Sequence, residues 1–187
     1  MDEDKTQLNV GKKFEKNFSA CVPKYVGLIR IPDPAQSFSN ASNLRFTRKN
    51  PYDFLMWNPR TYTLYALELK TVKAKSISFE RTKEENGEIH LYQIEGLKKL
   101  SDVGNCVCGF IIEFREIEKT IFLNIDNFLK LSDAIDKKSF TISDLESNNI
   151  PFVVIEQHLM KTNSKYGVED FLTATAIKIE SGEKHEV

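Results

Sequence analysis

Residues 51–70 read PYDFLMWNPRTYTLYALELK, two β-rich runs (52–57 and 62–70) separated by Asn58-Pro59-Arg60-Thr61. Aromatic and aliphatic residues bounded by a Pro-containing polar turn are the signature of a β-hairpin. Side chains alternate along a strand, so Ala66, Glu68 and Lys70 point one way while Leu67 and Leu69 point into a core on the other. On the first run Asp53, Leu55 and Trp57 share a face, with Phe54 and Met56 behind. If the turn centres on Arg60-Thr61, paired residue numbers sum to about 121 and Asp53 lies opposite Glu68; a turn on Pro59-Arg60 shifts the pairing by two. Directly opposed residues have Cβ atoms about 4.5–5.5 Å apart, and like charges at that distance destabilise a sheet. A divalent cation offsets the repulsion, because hard oxygen donors converging from two strands suit Mg²⁺.

Working outward, residues 8–20 predict a helix with Phe14 and Phe18 four apart, ended by Pro23. Residues 25–31 (YVGLIRI) predict a strand. Residues 32–50 are rich in Pro, Ser and Asn and read as a loop or projecting arm. Beyond the hairpin, 71–88 look polar and irregular. Residues 90–103 predict a helix with Leu91, Ile94, Leu97, Leu100 and Val103 on one side. CVCGFIIEF (106–114) reads as a buried strand with 120–123 as its hairpin partner. A helix over 126–135, a short turn at 142–146 and a strand at 151–156 follow, and the last seven residues read as frayed. The order predicts α/β architecture with a mixed central sheet flanked by helices. One domain over 1–187 is expected, with 131–187 as peripheral elements.

Composition supports a folded domain: 187 residues, 41% hydrophobic and 28% charged. No apolar run approaches the ~20 residues of a membrane helix. The start, Met1-Asp2-Glu3-Asp4-Lys5, is polar with no signal-like stretch after it, so a cytoplasmic protein without membrane partners is expected. Three cysteines suggest free thiols, with Cys106 and Cys108 as small buried hydrophobes rather than zinc ligands. The net charge of −1 hides an asymmetry. Residues 1–83 hold 15 Lys and Arg against 8 Asp and Glu, whereas 84–187 hold 11 against 19. Such a split hints at a polyanion-binding surface.

Glu68 and Lys70, two apart on one face, would set an ammonium beside the cation and the phosphate it polarises, a pattern suited to phosphodiester hydrolysis. Glu15, in KKFEKNF, sits next to the Phe14/Phe18 stripe and can reach over the sheet; the plain alternative is a surface Glu near Lys12 and Lys16. Phe54 and Trp57 read as core rather than as base-stacking platforms.

These blocks resemble a known superfamily. Glu15 in GKKFEKNF, Asp53 in PYDFLMW and Glu68-Leu69-Lys70 in YALELK are similar to the metal-dependent nucleases of the PD-(D/E)xK motif, with their restriction-endonuclease-like core. Within it the chain resembles RecU-type Holliday junction resolvases, above all the shorter versions of phages of Gram-positive bacteria. The likeness runs through Gln93 in HLYQIEGLKKL and the GFIIEF strand.

The resemblance implies a Mg²⁺-dependent endodeoxyribonuclease, also served by Mn²⁺. It would act as a homodimer making paired nicks in branched, four-way DNA during recombination and repair. It assigns Asp53 and Glu68 as metal ligands with the Leu69 carbonyl, Lys70 as base or orienting cation, and Glu15 as a further or water-mediated ligand. Gln93 would position the water or the phosphate. Lys12, Arg45, Arg48, Lys49, Lys73, Lys75 and Arg81 are candidate phosphate contacts, with Lys83 nearby. Two departures stand out: residues 32–50 are shorter than the projecting segment of bacterial members, and Tyr52 separates Pro51 from Asp53. A nuclease of this fold acting on linear or flap DNA, or a non-catalytic DNA-binding module, remains open on the sequence.

Overall fold

The hairpin forms in the register that sums to 121. The computed structural model of the protein describes residues 3–32 and 49–180, and side chains within 10–32 and 49–176. In chain order the elements are α1 (Glu3–Ser19), β1 (Gly27–Arg30), β2 (Phe54–Asn58), β3 (Thr63–Val72), β4 (Ser76–Ser78) and α2 (Leu91–Ser101). Then come β5 (Cys106–Phe114), β6 (Lys119–Asn124), α3 (Ile125–Ala134), β7 (Ser139–Thr141) and α4 (Ile142–Ser147). The chain continues through β8 (Val153–Ile155), β9 (Gln157–Leu159), β10 (Ser164–Tyr166) and α5 (Val168–Glu180). β2 and β3 pair antiparallel from Phe54↔Leu67 to Asn58↔Thr63. The turn at 59–62 closes with Tyr62 at φ 53°, a left-handed conformation unusual for an aromatic residue.

Six strands form the central sheet in the order β1-β2-β3-β5-β6-β8. β3 and β5 run parallel and the other neighbours antiparallel, so the sheet is mixed. A parallel pair needs a crossover, and α2 supplies it. β4 with β7 and β9 with β10 form two separate small sheets.

Strand alternation sorts the core into two layers. On one face Ala66, Cys108, Phe110 and Ile112 pack with Ile94 and Leu97 of α2 and with Phe128 and Leu131 of α3. On the other, Tyr65, Leu67, Leu69 and Ile111 pack with Phe14 and Phe18 of α1 and Phe171 and Leu172 of α5. The fold is thus α/β, a mixed central sheet flanked by helices. No helix among the described residues is long and apolar enough to cross a membrane.

Several expectations need correction. α5 was not anticipated and 131–187 was expected to be peripheral, yet Val168, Phe171, Leu172 and Ala176 enter the core and Tyr65 Oη donates to the Leu172 carbonyl. Trp57 is 43% exposed rather than core, with the exposed Tyr62 ring set edge-on to it; Phe54 is buried as expected. Val103 lies past the end of α2 and is exposed. Residues 71–88 are less irregular than expected, holding the end of β3, all of β4 and a bridge from Phe79 to Ile89. Most of the proposed arm (33–48) and the last seven residues lie outside the described residues. The three cysteines are free thiols; Cys108 is buried and Cys106 half-buried, with their sulfurs 3.3 Å apart.

Candidate active site

Asp53 sits where the β2–β3 ladder gives way to a side-chain bond. Its backbone N–H donates to the Leu67 carbonyl (3.0 Å), and its carbonyl accepts from Ile31 N on the β1 side (2.7 Å). Its carboxylate Oδ2 then accepts from Leu69 N at 2.8 Å. Held from both neighbouring segments, Asp53 stands one residue before the last in-register pair, Phe54↔Leu67, and close enough to Glu68 for its charge to act on that carboxyl.

Glu68 occupies the middle of the sheet, opposite Phe110 of β5, and is only 5% exposed. A carboxylate buried there needs donors. Lys70 Nζ lies 3.1 Å from Glu68 Oε1, and Gln93 Nε2 donates to the same oxygen in a short hydrogen bond. Gln93 is buried in the first turn of α2, where its own Oε1 accepts from His90 N at 2.9 Å. The helix approaches closely because residue 96 is glycine: a Cβ there would overlap Pro51, two residues before Asp53.

The electrostatics follow from burial. Desolvation pushes Asp53 up to about 6; the Leu69 N–H opposes this and the neighbouring Glu15 charge adds to it. Glu68 is pushed up to about 8, again by burial first, with Lys70 opposing and Asp53 and Glu15 adding. Among the described residues Asp53 Oδ1 and Glu68 Oε2 carry no hydrogen bond. Both acids and Lys70 line an open cavity of about 320 Å³, bordered also by Lys49, His90 and Tyr92.

Glu15 belongs to the same charged neighbourhood, but its Oε2 is held by Arg30 Nε (2.8 Å) and Nη2 (2.7 Å) rather than by Lys12 or Lys16. Lys12 and Lys16 line an adjacent cavity of about 430 Å³ with Arg30 and Phe54. Lys49 lies over the Tyr92 ring, 5.1 Å from its centroid. Lys73 and Lys75 are exposed beyond the end of β3, Lys75 beside Glu116 at 3.5 Å, and Lys83 is exposed. The Arg81 guanidinium donates to the Ile135 and Lys137 carbonyls. The last carbonyls of a helix lack partners within it, and Arg81 serves that end of α3. Arg45 and Arg48 lie outside the described residues. The described residues contain no group of three His, Cys, Asp or Glu side chains able to hold a metal ion.

The sequence reading missed Arg30, His90 and Glu80. Only Arg30 carried a signal, as the one cation in an otherwise apolar strand that runs beside Asp53.

No family model matches the chain. It is 30% identical over 153 residues to the SPbeta prophage-derived uncharacterized protein YotM of Bacillus subtilis (strain 168), covering 80% of this chain and 74% of that protein. The chain belongs to the family of that prophage protein. Among solved structures it is similar to Hjc, a Holliday junction resolvase of Archaeoglobus fulgidus, at 12% identity and a TM-score of 0.39, over 66% of this chain and 80% of that one.

Proposed function

We propose that the protein is a Mg²⁺-dependent endodeoxyribonuclease with a restriction-endonuclease-like core, cutting branched DNA as a homodimer. One observation carries the reading. A half-buried carboxyl just ahead of β2 and a buried one on β3, both resisting ionisation, each keep one oxygen without a hydrogen bond among the described residues, at the edge of an open cavity beside a lysine.

The donor set fits a hard divalent cation. Asp53 Oδ1 and Glu68 Oε2 would hold it with the Leu69 carbonyl, while Gln93 and Lys70 fix the other Glu68 oxygen. When bound, the ion would polarise the phosphoryl oxygen and make water more acidic. Lys70 would orient the attacking water and stabilise charge growing on the phosphate. Glu15, paired with Arg30, would act on the cation from a distance rather than as a direct ligand. Lys12, Lys16 and Lys49 would contact phosphates on either side of the cut, with Lys73 and Lys75 further along. The prophage origin of the relative is in keeping with a phage-borne enzyme.

Purified protein incubated with Mg²⁺ and equimolar four-way junction and linear duplex tests the reading. Paired nicks in the junction alone are expected. Equal cutting of both would replace the resolvase assignment with a general nuclease, and binding without cutting would replace it with a binding module.

A further inference from the structure

The start of α2 brings His90 to the same cavity, with Glu80 behind it. His90 Nδ1 lies 2.7 Å from Glu80 Oε1, and Glu80 is buried. The other carboxylate oxygen of Glu80 accepts from Leu91 N at 2.8 Å, and Gly87 N reaches Oε1 at 3.4 Å. Burial works to raise the Glu80 carboxyl, but the His90 ring and these two amides outweigh it and hold Glu80 below its ordinary value. An ionised Glu80 can only accept, so the proton on this side of the ring stays on Nδ1. Nε2 is left without a hydrogen-bond partner among the described residues.

The ring cannot wander. It stacks on Tyr92 with centroids 5.4 Å apart and planes 16° from parallel. Its backbone N–H is tied through Gln93 to Glu68. At 38% side-chain exposure, it is neither sealed in the core nor loose on the surface. A carboxylate bound to one nitrogen of an imidazole that lines a candidate reaction site is the arrangement of a general acid–base residue and its partner.

We infer that His90 is a further catalytic residue, with Glu80 as its positioning residue: protonated on both ring nitrogens, it gives the Nε2 proton to the oxygen that leaves phosphorus and is left as the Nδ1–H imidazole. This rests on the nuclease reading of the same cavity. In that step water oxygen bonds to phosphorus as the bond to the leaving nucleoside oxygen breaks. The departing electron pair takes the Nε2 proton to form a hydroxyl. The attacking water releases one proton to solvent, and His90 recovers one from solvent. Attack and departure lie on opposite sides of phosphorus in an in-line displacement. Asp53, just ahead of β2, and Glu68 and Lys70 of β3 line the cavity, and the start of α2 brings His90 to it.

A sulfur-bridged substrate tests this, because a thiolate leaves without needing a proton. Single-turnover cutting of four-way DNA in Mn²⁺ is compared for the wild type, His90→Gln, His90→Ala and Glu80→Gln. The substrates are ordinary DNA and DNA with sulfur as the bridging atom at the cut, in both the 3′ and 5′ isomers. Expected are losses of about 100-fold for both His90 variants on ordinary DNA and a smaller loss for Glu80→Gln. DNA affinity should be unchanged, and the rate should return to near wild type on one sulfur isomer. Full activity of His90→Gln on ordinary DNA would overturn the inference. So would a loss that persists on both sulfur isomers, which would make His90 a structural or binding residue. A wild type that cuts no DNA overturns the nuclease reading, and this inference falls with it.

Discussion

Gln93 hydrogen-bonds Glu68 through one end of its amide and the backbone of His90 through the other. One buried side chain therefore couples the middle strand of the sheet to the first turn of α2, and the two walls of the cavity share a joint. Gln93→Leu removes the only uncharged donor to Glu68 among the described residues and leaves the His90 N–H without its acceptor. We expect a drop of about 10-fold or more in Mg²⁺ affinity, the usual scale for a lost outer partner of a metal ligand. A Mg²⁺ titration of cutting rate would check it.

The position of α2 depends on glycine at 96. Gly96→Ala puts a methyl into Pro51 and should cost about 1–3 kcal/mol through overpacking. Because Pro51 leads into Asp53 and Gly96 lies one turn beyond Gln93, activity should fall beyond what the lost stability explains. Thermal unfolding and cutting rates on the same preparation would show both effects.

The helix-end contacts of Arg81 give an opposite expectation to its place in the basic cluster. Arg81→Ala should lower stability by about 1–3 kcal/mol, the scale for hydrogen bonds from a charged donor. The salt dependence of DNA binding should not change, since no phosphate contact is removed. Lys49→Ala should do the reverse, flattening the salt dependence at nearly constant melting temperature.

The site was legible to the extent that it is written in strand alternation. Asp53, Glu68 and Lys70 needed only period two and a turn centred between Arg60 and Thr61, and β2–β3 pairs in that register. Period alone could not show that β1 and α1 would deliver Arg30 to Glu15, a contact between segments whose spacing no local rule fixes. His90 and Glu80 meet through the bridge between Phe79 and Ile89, which is equally invisible in a polar stretch. α5 was different. Val168, Phe171, Leu172, Thr175 and Ala176 follow helical spacing, but the threonines and β-branched residues lower helix propensity and masked it. Both threonines of α5, Thr173 and Thr175, return their hydroxyls to carbonyls four residues back.

The raised carboxyls make a pH prediction for metal-free protein. A native carboxyl pushed to about 6 (Asp53) or about 8 (Glu68) keeps its proton longer than in the unfolded chain. The native state then binds more protons, and stability falls as pH rises from the ordinary carboxyl range through those values. The melting temperature without metal should therefore decline between about pH 4 and 8. Mg²⁺ should raise it more at pH 8 than at pH 5, and Asp53→Asn should raise it at pH 8 without metal.

The most direct measurement is an anomalous difference map from crystals soaked in Mn²⁺. A single strong peak between the Asp53 and Glu68 carboxylates, absent in Asp53→Asn crystals, is the predicted result. No peak between those two side chains at saturating Mn²⁺, or an ion bound elsewhere on the chain, would contradict it.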